Sequence, residues 1–305
     1  MASRGYQPVD YLLLLLLSAI WGSSFLFIKL AVATIPPMTL VAARLGLAAL
    51  VLLLFLAATG RRLPRDWGIW RGFLVVAVIG NVVPFFLINW GEVTVDSGLA
   101  AILLAVVPLA TVVLAHVFAP DERLTPLRGL GVTVGFGGIV VLVGPDALAG
   151  LGREAVSQFA IVGAACCYAV TGVFVRRSRL IDLPPAVTAT GVLVTAAIVA
   201  APLALVVARR WDLPAPSTGS LLALGVLALL STAAAFLILF RLLATTSATF
   251  VSLLNYLAPV FGVSWGALLL GEPLQLDALG ALALILLGLV LTQARGRREA
   301  ETAGS

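Results

Sequence analysis

The sequence predicts an all-α integral membrane protein, with ten transmembrane helices arranged as two inverted five-helix repeats. Three observations carry this. Apolar residues make up 61% of the 305 positions and charged residues 11%, at a mean hydropathy of +1.14, which excludes an ordinary soluble domain. The apolar positions fall into ten runs, each near the roughly 20 residues needed to cross a hydrocarbon core about 30 Å thick. The second half of the chain also repeats the first. Val106-Val107-Pro108-Leu109 followed by Asp121-Glu122-Arg123-Leu124 is answered by Leu257-Ala258-Pro259-Val260 followed by Gly271-Glu272-Pro273-Leu274.

In chain order the runs are 9–32, 36–58, 68–90, 96–119, 126–144, 157–176, 184–208, 218–240, 246–270 and 275–293. Turn and breaker signals separate several of them: Pro36-Pro37, Gly60-Arg61-Arg62, Gly144-Pro145-Asp146, Pro184-Pro185, Pro214-Ala215-Pro216 and Gly271-Glu272-Pro273. Continuous apolarity argues for helices, since barrel strands alternate and are half as long. The first run lacks a cleavage site followed by a soluble domain, and its repeat partner lies in mid-chain, so it reads as a retained helix 1. This gives a first repeat at 1–144, a linker at 145–156, a second repeat at 157–293 and a polar tail at 294–305.

Upstream of the Pro–Glu pattern, Trp21-Gly22-Ser23-Ser24 with Lys29 falls on Tyr168-Ala169-Val170-Thr171 with Arg176, and Pro36-Pro37 falls on Pro184-Pro185. Five helices per copy is an odd number, so the copies cross the bilayer in opposite senses. Inverted repeats of this kind typify secondary transporters.

The charge of +5 and pI near 9.9 encode orientation. With a cytoplasmic N-terminus, fourteen arginines fall in inner segments and only Arg153, Arg209 and Arg210 in outer ones. That positive-inside bias predicts a plasma (inner) membrane protein with both termini cytoplasmic. No basic stripe could track a phosphate backbone, so no nucleic-acid partner is expected. The expected partners are a small-molecule substrate and the lipid bilayer, with a monomer as the expected state. Cys166 and Cys167 are neighbours in helix 6 and cannot easily bridge. One histidine and two vicinal cysteines do not make a metal site. No nucleotide loop or nucleophile elbow occurs, so neither cofactor nor enzyme activity is expected. A channel would require a continuous polar lining that the sparse polar residues do not supply.

A few polar residues interrupt the apolar runs. Arg44 lies about two turns inside helix 2, where it must face a partner or a water-filled cavity. It suits either a substrate carboxylate or a structural tie, and its repeat counterpart is Val192. Lys29 sits one turn from the outer end of helix 1, where an anchoring role fits. Trp21, Gly22, Ser23 and Ser24 in helix 1, with Tyr168 and Thr171 in helix 6, fit a midplane site or tight packing of helices 1 and 6. Asn81, Asn89, Asn255 and Tyr256 offer orienting groups or interhelical glue. Pro108 and Pro259 are matched bending points. Glu122 and Glu272 suit dipole contacts with the starts of helices 5 and 10. Glu92 and Asp96 fall at the outer ends of helices 3 and 4, so no buried carboxylate pair marks a proton path.

Taken together, Trp21-Gly22-Ser23-Ser24-Phe25 with Lys29, Ala43-Arg44-Leu45, Pro108 through Asp121-Glu122-Arg123-Leu124, Gly131 and Gly138, with Pro259, Glu272 and Gly288 repeating the second pattern, resemble the drug/metabolite transporter superfamily, ten-helix EamA type. The resemblance covers nearly the whole chain and says little about substrate. It implies export of small metabolites, often amino acids, by alternating access around a central cavity, with carriage of drug-like solutes as the alternative. The expected substrate site is a midplane cavity lined by Trp21, Ser24, Arg44, Asn81, Tyr168, Thr171, Asn255 and Tyr256, with Pro108 and Pro259 as hinges.

Overall fold

The computed structural model describes residues 7–118, 125–143, 153–207, 215–246 and 248–293. Glu122, most of the 145–156 linker and the tail from 294 lie outside the described residues. The ends of the bundle are named outer and inner from the orientation that the charge bias predicts.

Among the described residues ten membrane helices follow one another. They are α1 (Pro8–Val32), α2 (Pro37–Ala58), α3 (Trp67–Gly91), α4 (Ser97–Leu104 continued by Val107–Phe118), α5 (Pro126–Val143) and α6 (Arg153–Arg177). After them come α7 (Pro185–Val207), α8 (Thr218–Ala228 running through to Thr245), α9 (Ala248–Val251 continued by Leu254–Leu270) and α10 (Leu276–Gln293). Eight spans are long and apolar enough to cross a membrane by themselves, and two shorter apolar helices, Pro126–Leu142 and Leu254–Leu270, complete the set. Among the described residues no strand occurs. In hydrocarbon that follows from the need of every backbone N–H and C=O for an internal partner.

Starts and stops have local causes. Pro8, Pro37, Pro126 and Pro185 each open a helix at its first position, where the missing N–H is not needed. Helix α6 begins at Arg153, four residues before the predicted 157 (157 − 153), with Glu154 in its first turn where the helix dipole favours an acid. Gly271 ends α9 in the left-handed region at φ 68°, a conformation that costs glycine nothing.

The two repeats pack about a pseudo-two-fold axis. Helices α2 and α7 pair across it, as do α5 and α10. Off the axis, α1 lies on α9 as α6 lies on α4, and α1 lies on α8 as α6 lies on α3. Small residues permit these approaches. A methyl group at Gly131 would stand 2.6 Å from the Gly288 carbonyl oxygen, and one at Gly138 would stand 2.8 Å from that of Ala281. Those pairs are related by one offset, 281 − 131 = 288 − 138 = 150. Without a hydrophobic drive between helices in lipid, such close backbone contact supplies the packing energy.

The helix interruptions coincide with only one of the two matched prolines. Helix α4 is interrupted at Ala105–Val106, just ahead of Pro108, whose ring cannot donate to the Leu104 carbonyl. Pro259 lies inside an unbroken stretch of α9, and that helix is interrupted earlier, at Ser252–Leu253. The matched prolines therefore do not mark matched breaks.

Gly288→Leu should lower stability by about 1–3 kcal/mol or more through overpacking. Gly280→Ala on the same helix, where a methyl would meet nothing within 4 Å, should be neutral. Thermal melting of the two purified variants separates close approach from a general intolerance of α10 to side chains.

Candidate functional site

Helices α3 and α8 each carry a π-helical stretch in mid-membrane, at Val78–Val82 and Leu229–Ala234. They are repeat-related, with an offset of 229 − 78 = 151. A π-turn inserts an extra residue and leaves a carbonyl out of the i→i−4 ladder. In both helices a polar side chain answers that carbonyl. Asn81 Nδ2 donates to the Val76 carbonyl at 3.1 Å, and Thr232 Oγ1 donates to the Leu227 carbonyl at 2.8 Å. Asn81 is 6% exposed and Thr232 1%, so neither carbonyl can rely on water.

Thr232 has a second task. Its oxygen accepts from Arg44 Nε at 2.9 Å, which ties α2 to the π-turn of α8. The Arg44 guanidinium also lies over the Phe85 ring at 4.3 Å from the centroid, a cation–π contact from α3. Tyr168 on α6 stands within electrostatic reach of the same cation. Arg44 is 6% exposed and roughly 11 Å from the start of α2 by helical rise. Nε makes its only hydrogen bond to a described residue, so both terminal amino groups keep their donors. An arginine fixed at Nε and backed by an aromatic face presents a planar two-pronged donor, the geometry that suits a carboxylate or phosphate.

The remaining predicted residues fall into separate places. Gly80, beside Asn81, packs on Thr171, whose Cγ2 would lie 2.7 Å from an added methyl. Thr171 itself donates to the Cys167 carbonyl at 2.8 Å. Arg44, Asn81, Tyr168 and Thr171 thus gather where α2, α3, α6 and α8 converge. Ser24 is buried and donates to the Ile20 carbonyl at 3.3 Å. Trp21 is half-buried against Leu14, Leu17, Ile20 and Leu254. Asn255 and Tyr256 are half-buried in the first turn of the longer part of α9. No hydrogen bond joins Trp21, Ser24, Asn255 or Tyr256 to the Arg44 group among the described residues.

Gly22 does not bring α1 against α6. An added methyl there would meet Phe261 Cβ at 2.6 Å and the Ala258 carbonyl oxygen at 2.8 Å, both on α9. Trp265 Nε1 of α9 reinforces the crossing by donating to the Ala19 carbonyl at 3.3 Å.

The outer end holds a second polar cluster. Lys29 Nζ donates to the carbonyls of Glu92 at 3.0 Å and Val95 at 2.7 Å, and lies 3.9 Å from Asp96 Oδ1. It anchors the α3–α4 connection to α1. Glu272 does make a dipole contact, but with α4 and not with α10. Its carboxylate accepts from Ser97 N at 2.8 Å, Ser97 Oγ at 3.0 Å and Gly98 N at 2.9 Å. Helix α4 offers two backbone N–H groups of its first turn and the Ser97 hydroxyl to this carboxylate. Glu92 corrects a second expectation. It sits at the outer end as expected, yet it is 0% exposed, and both carboxylate oxygens lack a hydrogen-bond partner. Burial holds this carboxyl, in the connection after α3, well above the usual carboxylate range; Lys29 lowers it, Glu272 raises it and Arg44 lowers it.

Sequence reading missed Thr232, Phe85 and the two π-turns. A π-turn has no side-chain period, so the available signal was the alignment of Thr232 with Asn81 at the 151-residue offset.

Thr232→Val keeps the shape while removing both hydrogen bonds of the hydroxyl. It should destabilise the protein by about 1–3 kcal/mol, because a buried carbonyl and Arg44 Nε both lose their partner. Thermal melting in detergent gives the measurement, and Thr232→Ser should recover most of the loss.

Comparison with known proteins agrees with this architecture. The chain is similar to the uncharacterized inner membrane transporter YedA of Escherichia coli K12, at 30% identity over 278 residues, covering 89% of this chain and 86% of the relative. It is also similar to an uncharacterized transporter of Archaeoglobus fulgidus, at 26% identity, covering 92% and 97%. A solved crystal structure with 21% identity shares the fold at a TM-score of 0.67, over 96% of this chain and 99% of that one. The EamA-like transporter family profile matches residues 9–144 and 156–293. With two matched halves and ten apolar helices, this chain is a multi-pass inner membrane protein that belongs to the EamA-like transporter family.

Proposed function

We propose that the chain exports small organic metabolites, amino acids or their analogues by preference, by alternating access, and that Arg44 receives the substrate carboxylate. One observation carries the reading: a buried arginine at mid-depth is pinned through Nε by Thr232, while neither terminal amino group donates to a described residue. A purely structural arginine at this depth would spend those donors on carbonyls, since each unpaired polar group in a low-dielectric setting is costly. Phe85 and Tyr168 add apolar and aromatic surface around the cation, which suits a compact, partly apolar zwitterion. Asn81 and Thr171 lie beside it. Trp21, Ser24, Asn255 and Tyr256 complete the proposed lining as α1 and α9 move, and the protein works as a monomer without cofactor. The relatives' names support transport and are silent on substrate.

Counterflow in proteoliposomes with radiolabelled amino acids, organic anions and organic cations is the test. Saturable exchange of an amino acid or a carboxylate is expected. Arg44→Gln should weaken that substrate by about tenfold or more, the scale of a charge-assisted hydrogen bond, with the helical fold intact by circular dichroism. A panel that yields only cations, or a variant that exchanges normally, overturns the carboxylate assignment.

Both termini are placed in the cytoplasm on the charge bias. Ala215→Cys, an exposed residue just ahead of α8, should label from outside only, and Pro64→Cys, ahead of α3, from inside only. The reverse pattern would invert the topology.

A further inference from the structure

Glu92 stands apart from the other charged groups of the outer end. Asp96 has Lys29 beside it, and Glu272 is satisfied by Ser97 and Gly98. Lys29 Nζ has turned to two backbone carbonyls, one of them that of Glu92 itself. Arg44 of α2 acts on Glu92 through its charge and without a hydrogen bond, and Asn89 Nδ2 of α3 is spent on the Pro37 carbonyl at 3.2 Å. From α6 the buried groups are neutral: Ser157 pairs with Thr94 Oγ1 at 2.8 Å and Gln158 is buried with its oxygen unpartnered; the acidic Glu154, one turn away, is exposed. The Glu92 carboxyl is therefore sealed from water with no donor to either oxygen. An ionised carboxylate in that position costs far more than a neutral one, and such groups take up a proton instead.

The seal around it is made of ties between elements that must part if the outer end opens. Lys29 joins α1 to the 92–95 segment, and Glu272 joins the α9–α10 connection to the start of α4. Opening would hydrate Glu92 and leave it free to ionise. We propose that Glu92 is a proton-binding site that holds one proton while the outer end is tied shut and releases it to water when that end opens. The sign follows from linkage. The shut state binds one proton more than the open state, so acid on the outer side favours the shut state and alkali the open one, with a limiting slope of about one decade per pH unit.

Two measurements test this, the first independent of any transport reading. Infrared spectra of the purified protein at neutral pH should show a protonated carboxyl stretch that Glu92→Gln abolishes and Glu92→Asp shifts. A wild-type protein without the band, or a band untouched by both substitutions, overturns the proposal. If Glu92→Gln does not fold, the Glu92→Asp shift decides alone. The second measurement rests on the carrier reading and uses a mixture of radiolabelled proteinogenic L-amino acids in counterflow. Wild-type exchange should fall as external pH drops, and Glu92→Gln exchange should be flat with pH. Exchange that keeps the wild-type pH profile in a folded Glu92→Gln overturns the proposal while leaving the carrier reading intact. Absent wild-type exchange at every pH counts against the carrier reading, and the infrared band then settles Glu92.

Discussion

In hydrocarbon a backbone carbonyl without a partner costs several kcal/mol, and this single constraint organises the middle of the protein. Wherever a helix departs from its ladder, a side chain must take over. At the π-turn of α3 that side chain is Asn81, and at the π-turn of α8 it is Thr232. A hydroxyl that donates to a carbonyl still has lone pairs to offer. Thr232 uses one of them to accept from Arg44. The position of the buried cation thus depends on a local defect in a neighbouring helix. An asparagine at that place would present a different shape, and a valine would leave two polar groups stranded.

The two repeats share this device and differ in what they build on it. Arg44 on α2 faces the α8 turn, while its counterpart Val192 on α7 packs with Ile69, Phe73 and Val76 of α3 in an apolar cluster. The backbone is close to two-fold and the chemistry is not. Two-fold packing of similar halves is the arrangement that the proposed alternating access calls for. On the proposed function, a one-sided cation gives the substrate one orientation. In the same reading, duplication serves the motion and divergence at positions such as Arg44 and Val192 serves recognition.

Which features could be read from the sequence follows from their range. Helix number, order and approximate ends are properties of local composition, and the inverted repeat is a matter of spacing. Arg44, Asn81, Tyr168 and Thr171 were visible as polar interruptions of apolar runs, and the structure gathers these four. The rest depended on contacts far apart in the chain. Gly22 announces a close crossing without naming its partner, which is α9. Glu272 announces a helix cap, and the capped helix starts 175 residues earlier, at Ser97. Pro108 coincides with a break because Leu104 lacks its donor, whereas Pro259 is absorbed in a continuous helix. Glu92 was legible as a charge near a helix end, and hydropathy assigns such charges to water; its burial comes from distant elements that meet at the outer end, the packing of Gly91 against Ile161 and Ser157 among them.

The ties at the two ends differ in kind. At the inner end, Arg179 meets Asp66 at 3.0 Å with side chains 72% and 41% exposed, a pair that solvent and salt screen. Asp66 also caps α3, accepting from Gly68 N at 2.6 Å and Ile69 N at 3.3 Å, and those bonds lead the causes that hold its carboxyl below the usual range. At the outer end, Lys29 and Glu272 make five hydrogen bonds in part-buried surroundings. Charge-assisted bonds of this kind hold the shape firmly, yet their net worth is modest, because water takes the place of each partner once the elements separate. For the opening proposed above, ties of this kind are specific in geometry without being irreversible. Apolar packing alone would lack that property, since separating it exposes surface that water does not reward.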